Sequence, residues 1–309
     1  MNKKEITMKK IANTIIILFF LIFMISCGKS ERIGAISEFS INDTLSSVNS
    51  EKVRVVLLYG QSNASGCSSV NYLQEKNPDL FRIIDKGIDN VFINYYCDNG
   101  ANFSNGEFVN CGLREGANTN LFGPEVGIAL TYQEAGLKCF IIKYSWGGTI
   151  LDSQWMDSNY ERGELYEAAI NFTKGSLNYL ISKGYNIEID GICWMQGESD
   201  ANAKLCQRYF KNTSKLVQYL RSDLKEYQET IDFIDAGISD SPYWVKYKEI
   251  NEAKIKFSDK SEHNYYIDTI DEGLHYNLEP VDGPDLAHYD SESEIVLGRL
   301  FGKVAISKK

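Results

Sequence analysis

Val53-Arg54-Val55-Val56-Leu57-Leu58-Tyr59 runs straight into Gly60-Gln61-Ser62-Asn63. The first seven residues form a nearly continuous apolar run, which reads as a strand buried on both faces, and the residues after it are small and polar. In a parallel sheet, ligand crevices open at the carboxyl ends of the strands. A serine at such an exit can expose its hydroxyl while the amides of the following turn face the same cavity. Ser62 is therefore placed as a hydrolase places its nucleophile.

Further strand-like runs follow at Val91 to Tyr95, Lys138 to Tyr144, Ile189 to Met195 and Ile231 to Ile238, with a shorter one at Tyr265 to Thr269. Most alternate with helical patterns. Glu125 to Ala135 begins after Gly123-Pro124 and stops at Gly136, the usual asymmetry of proline at a helix start and glycine past its end. Glu164 to Ser182 and Ala201 to Tyr227 repeat apolar residues every three or four positions, and Ser291 to Val304 reads as a closing helix. Apolar strands separated by helices specify an α/β fold, a three-layer α/β/α sandwich around a central, mostly parallel sheet of about five strands.

The amino terminus reads as an address. Lys3, Lys4, Lys9 and Lys10 precede the apolar stretch Thr14 to Ile25, which ends in Ser26-Cys27-Gly28. The stretch is short for a membrane span, and a small residue followed by cysteine resembles the lipobox of bacterial lipoproteins, in which that cysteine is lipidated. The expected organisation is a signal peptide over residues 1–26, a flexible tether over 27–50 and one domain over 51–309. The domain would be anchored to a membrane of the bacterial cell envelope by lipid on Cys27.

The whole chain has 309 residues and a net charge of −10; without Lys3, Lys4, Lys9, Lys10 and Glu5, it keeps 28 basic and 41 acidic residues, a charge of −13. Such a surface argues against nucleic acid as a partner. Beyond Cys27, Cys139 and Cys193 lie inside apolar runs and read as buried thiols, while Cys97 and Cys111 flank a loop rich in Asn and Gly and admit a disulfide. No His or Cys spacing matches a metal site, the three histidines being His263, His275 and His288, and no cofactor is called for.

The polar clusters fall together at strand ends. Ser62 follows the first strand, Ser145-Trp146-Gly147-Gly148-Thr149 the third and Gln196-Gly197-Glu198-Ser199-Asp200 the fourth. Asp285-Leu286-Ala287-His288, just before the last helix, offers a base and a carboxylate in one short loop. There the carboxylate of Asp285 can accept from one ring nitrogen of His288 and leave the other for the Ser62 proton. Each has a plainer reading: Ser62 as a helix cap, His288 as a surface histidine, Glu198 and Asp200 as braces, Trp146 and Trp155 as core.

Six segments carry a resemblance: Gly60-Gln61-Ser62-Asn63, Phe122-Gly123-Pro124-Glu125, Lys143 to Thr149, Trp194-Met195-Gln196-Gly197-Glu198-Ser199-Asp200, Leu220 to Leu224 and Asp285-Leu286-Ala287-His288. In this order they resemble the SGNH (GDSL-type) hydrolases, in the branch of sialate O-acetylesterases and acetylxylan esterases. The resemblance implies a flavodoxin-like fold and a carbohydrate O-acetylesterase that takes an acetylated carbohydrate through a serine acyl-enzyme. It makes Ser62 the nucleophile, His288 the base and Asp285 its orienting carboxylate. The amides of Ser62 and Gly148 (or Gly147) with the side chain of Gln196 would form the oxyanion hole, and Glu198 rivals Asp285 as the acid. Met195 stands where relatives often carry histidine, and Ala64 where methionine is frequent. Competing readings are a lipase or lysophospholipase of the same superfamily and a catalytically silent glycan-binding lipoprotein.

The anchor is tested directly. Cys27→Ala is expected to abolish partitioning into a detergent phase and to leave hydrolysis by the domain unchanged; an undiminished membrane fraction excludes lipidation at Cys27.

Overall fold

In the computed structural model, residues 41–279 and 284–307 are described. The expected signal peptide and Cys27 lie outside these residues. Six parallel strands form the sheet: β1 (Glu51–Gly60), β2 (Val91–Cys97), β3 (Cys139–Ser145), β4 (Tyr185–Met195), β5 (Phe233–Ala236) and β6 (Asn264–Ile267). Their spatial order is β6-β5-β4-β1-β3-β2, and the short strands Asn102–Phe103 and Val109–Asn110 add antiparallel pairings to β2. The flavodoxin order sets the second strand beside the first; here β3 lies between them. Because β2 and β3 lie on one side of β1 and β4 to β6 on the other, the winding reverses at β1. Crevices open at such a switch point.

Helices α1 (Ser62–Ser65), α2 (Val70–Lys76), α3 (Pro78–Ile84), α4 (Glu125–Glu134), α5 (Glu164–Ser182), α6 (Cys206–Asp223), α7 (Tyr247–Ser258) and α8 (Ser291–Ile306) connect and flank the strands. The sequence pattern does not single out α7. Its buried side chains are Ile250, Asn251, Lys254 and Phe257, so two of four inward positions are polar and the apolar stripe is too thin to read. Lys254 is buried there because its ammonium meets Asp235 on β5 at 2.5 Å and the Ala236 carbonyl at 2.8 Å.

β1 is the centre of the core. Val55, Val56, Leu57, Leu58 and Tyr59 are all fully buried, the four aliphatic side chains each contributing about 1.5–3 kcal/mol of transfer free energy. Cys139 and Cys193 are buried likewise. Cys97 and Cys111 are not bridged: both are free thiols. The Cys111 thiol donates to Oε2 of Glu115 at 3.4 Å, and that of Cys97 to the Glu115 carbonyl at 3.8 Å. Glu115, four residues beyond Cys111, thus occupies each sulfur. The second half of the expected tether is also docked on the domain. The Asn42 amide donates to the Gly106 carbonyl, the Thr44 and Leu45 amides to the Tyr179 hydroxyl and the Val48 amide to the Lys183 carbonyl, while Asp43 pairs with Lys183.

α4 packs along α8 at backbone contact. A Cβ on Gly298 would lie 2.0 Å from the Pro124 carbonyl oxygen, and one on Gly127 would lie 2.1 Å from that of Ile295. Neither neighbour is a side chain that can turn away. Gly298→Ala is therefore expected to destabilise the domain by about 1–3 kcal/mol or more, the usual cost of overpacking, seen as a lower denaturant midpoint with an unchanged slope. A midpoint equal to that of the unaltered protein would mean that the two helices separate at no cost.

Candidate active site

The ends of three neighbouring strands meet at one point. Gly60 pairs in register with Ser145 on β3 and with Met195 on β4, so Gln61, Trp146 and Gln196 leave the sheet side by side. The ladder continues one residue further, with the Gln61 amide donating to the Met195 carbonyl at 2.9 Å and the Trp146 amide to that of Gly60 at 3.1 Å.

Ser62 opens the single-turn helix α1. Gln61 stands at the cap position, and no side chain caps the helix. The Ser62 hydroxyl is thus not consumed as a cap, and it has no hydrogen-bond partner among the described residues. Gly147 lies against it: a Cβ there would be 3.4 Å from that of Ser62.

Asn63, the next residue, is buried and holds the histidine segment in place. Its Oδ1 accepts the Tyr289 amide at 3.1 Å, and its Nδ2 donates to Oε1 of Glu198 at 2.7 Å and to the Ala287 carbonyl at 3.5 Å. Ala287 and Tyr289 bracket His288 on β8 (Asp285–Tyr289), which pairs antiparallel with β7 (Tyr276–Asn277). One amide therefore fixes the base next to the residue that follows Ser62.

Asp285 Oδ2 lies 2.6 Å from His288 Nδ1, and its other oxygen accepts the Ala287 amide at 2.9 Å. Burial alone would raise the Asp285 pKa, but the hydrogen bond and charge of His288 and the local amides hold it below the ordinary carboxylate value. For His288, burial pulls the pKa down. The neighbouring Cys67 thiol and the Asp285 carboxylate outweigh it and push the ring up to about 11. Cys67 also lies within hydrogen-bond reach of the ring; with Nδ1 on Asp285, Nε2 is the nitrogen that proton transfer would use.

Glu198 does not reach His288 through a hydrogen bond. Its Oε1 takes the Asn63 amide, its Oε2 has no partner among the described residues, and burial raises its pKa. It braces the residue that braces the histidine segment.

Two residues expected at an oxyanion hole are otherwise engaged. Gln196 is fully buried, and its Nε2 faces Oδ2 of Asp200 at 2.7 Å, the Thr149 carbonyl at 3.0 Å and Oε1 of Gln61 at 3.2 Å. Its Oε1 accepts from the Tyr209 hydroxyl at 3.0 Å. A primary amide has two N–H donors, and both serve to tie the strand exits together. The Gly147 amide donates to Oδ1 of Asp98. What remains are the amides of Ser62 and Gly148, neither of which has an acceptor among the described residues. Gly148 sits at φ +70, a left-handed conformation that favours glycine. Trp155 is core, packed edge-on against Trp194 with its indole N–H on the Thr149 hydroxyl, whereas Trp146 is only half-buried.

Asp98 obeys the same rule as the other site residues, being the first residue beyond β2. Its place between Cys97 and Cys111 gives the segment the look of a disulfide-closed loop, which hides it in the sequence. The task of Asn63 is not legible from its motif, since its partner amide lies 226 residues away.

Solved structures similar to this chain have the same fold. An Arabidopsis thaliana protein matches with a TM-score of 0.58 at 18% identity, over 82% of this chain and 98% of that one. NanS matches with a TM-score of 0.56 at 14% identity, over 84% of this chain and 98% of its own. XAC1771, described as a carbohydrate acetylesterase from Xanthomonas citri, matches with 0.54 at 14% identity, over 81% of this chain and 55% of its own. No curated protein sequence matches the chain. Residues 52–307 match the family described as carbohydrate esterase, sialic acid-specific acetylesterase, and with that match over most of its length the chain belongs to this carbohydrate esterase family of the SGNH-like class.

Proposed function

We propose that the protein is a carbohydrate O-acetylesterase working through an acyl-enzyme on Ser62. One observation carries this reading: a serine hydroxyl and two amides, those of Ser62 and Gly148, without partners among the described residues, lie at the strand exits onto which Asn63 docks the Asp285–His288 pair.

Ser62 Oγ adds to the acetyl carbonyl carbon as its proton passes to His288 Nε2. The carbonyl π pair moves onto oxygen, where the Ser62 and Gly148 amides receive the negative charge. Collapse breaks the bond between that carbon and the sugar oxygen, and His288 returns the proton to the leaving sugar. Water then repeats the sequence on the acetyl-serine and releases acetate. Asp285 keeps the ring oriented and stabilises the imidazolium formed in each half. Gln196, without an N–H to spare, acts by holding Gln61, Thr149 and Asp200 in register. Membership of a carbohydrate esterase family supports the choice of substrate class, and the N-terminal lysines, apolar stretch and Cys27 support anchorage at a bacterial envelope.

Ser62→Ala is expected to abolish hydrolysis of p-nitrophenyl acetate while leaving the melting temperature unchanged. In the unaltered protein kcat/KM should fall from the acetate to the octanoate ester. An open lipase channel would gain about 0.8 kcal/mol per buried methylene, close to fourfold per carbon, so octanoate as the best substrate overturns the acetylesterase reading.

The pH profile follows from the raised pKa of His288. Only the neutral ring accepts the Ser62 proton, so the active fraction grows as pH rises toward the folded-state value, and kcat/KM should climb between about pH 6 and pH 9. Asp285→Asn removes a carboxylate that favours the imidazolium. The limb should then move to lower pH while kcat falls by about a hundredfold or more. A profile that Asp285→Asn leaves in place would move the acid role away from Asp285.

A further inference from the structure

Asp98 is not part of the mechanism above, yet its carboxylate lies beside the reacting serine. Oδ1 accepts the Gly147 amide, and the Ser65 hydroxyl, one turn on from Ser62, donates to the same oxygen at 3.4 Å. A Cβ on Gly147 would lie 3.1 Å from that oxygen and 3.4 Å from Cβ of Ser62, so Gly147 alone separates the carboxylate from the nucleophile. The backbone holds this placement at a cost: Asp98 and Asn99 both have left-handed φ, at +49 and +56, which non-glycine residues seldom adopt.

The charge is only partly balanced: burial raises the Asp98 pKa, while the Gly147 amide, the Ser65 hydroxyl and the charges of Lys143 and His288 act to lower it. Asp98 takes part in no ion pair among the described residues. Of the cations around it, Lys143 is buried against Glu125 and His288 is held by Asp285. An acetylated sugar entering this site meets that carboxylate, and neither Lys143, buried on Glu125, nor His288, held by Asp285, is free to pair with a negative group of the sugar.

Building on the esterase reading, we infer that Asp98 is a specificity-determining residue: its carboxylate accepts hydroxyls of an uncharged acetylated sugar and repels a sugar that carries a carboxylate. The charge acts on the leaving sugar, because the acetyl group is the same in either substrate. Near a protein surface two like charges a few ångströms apart repel strongly enough to change binding by about tenfold or more.

The test compares kcat/KM on an acetylated xylo-oligosaccharide and on O-acetylated N-acetylneuraminic acid, with acetate release as the readout, for the unaltered protein and for Asp98→Asn. Asparagine tolerates the left-handed backbone and can still accept the Gly147 amide, so the substitution removes charge and little else. The unaltered protein is expected to favour the neutral sugar. Asp98→Asn should raise the ratio for the anionic over the neutral sugar by about tenfold. Asp98→Gly, which also fits a positive φ, should shift the ratio in the same direction and guards against an artefact of the asparagine side chain. A ratio that neither variant moves, or an unaltered protein that prefers the anionic sugar, overturns the inference. Hydrolysis of p-nitrophenyl acetate in the same preparations separates the two levels. Its absence from the unaltered protein overturns the esterase reading itself, whereas its presence with an unmoved ratio overturns the role of Asp98 alone.

Discussion

A single buried ammonium ties the nucleophile's turn to the sheet. Lys143, in the middle of β3, is fully buried, and its Nζ donates to Oε2 of Glu125 at 2.6 Å, to the Ser65 carbonyl at 2.8 Å and to the Glu115 carbonyl at 2.8 Å. A charge in such a place is costly unless every donor finds an acceptor. Three acceptors from three segments meet that demand: the last residue of α1, the loop before α4 and the first residue of α4. Loss of water pulls the Lys143 pKa down, but the carboxylates around it raise it, so the ammonium stays protonated. Glu115 is pushed up to about 8, chiefly by burial and then by Glu125, and keeps its proton at neutral pH.

Around that anchor the strand exits are linked by amides rather than by charges. Gln61 and Gln196 share a hydrogen bond, Gln196 reaches Thr149 and Asp200, and Asp200 accepts the Leu151 amide at 2.8 Å. Asn63 extends the same lattice to Glu198 and β8. Side-chain amides suit this task because each carries donors and acceptors together and adds no net charge near a developing oxyanion. The lattice is not fully satisfied: Oε2 of Glu198 and Oδ1 of Asp200 have no partner among the described residues. Burial accordingly raises both pKa values, that of Asp200 to about 6. Oxygens of this kind are costly, and they tend to persist where a site constrains the fold.

Legibility in the sequence followed the range of the forces involved. β1, β3 and β4 were readable because burial on both faces demands apolar residues in unbroken runs, and α4 because its proline start and glycine stop are local. α7 was not, since Lys254 is buried by virtue of Asp235, on a strand that precedes it. The Cys97–Cys111 spacing suggested a bridge, but spacing says nothing of direction, and each thiol turns to Glu115. Residues 41–50 looked like linker by composition, yet Tyr179 and Lys183 on and just beyond α5 supply the partners that hold them.

The sequence by itself determined the α/β class, the strand exits at which chemistry gathers, and the pairing of Asp285 with His288, which spans three residues and needs only one short segment. Tertiary structure alone decided which donors are free. Gln196 and, as an alternative to Gly148, the Gly147 amide read as oxyanion donors until Asp200, Thr149 and Asp98 took up their hydrogens, and Glu198 read as either a brace or a rival acid until Asn63 engaged it. Apolar periodicity is written into neighbouring residues, whereas a hydrogen bond is awarded to whichever group the strand order brings within reach. In a sheet ordered β6-β5-β4-β1-β3-β2, those groups come from the far ends of the chain.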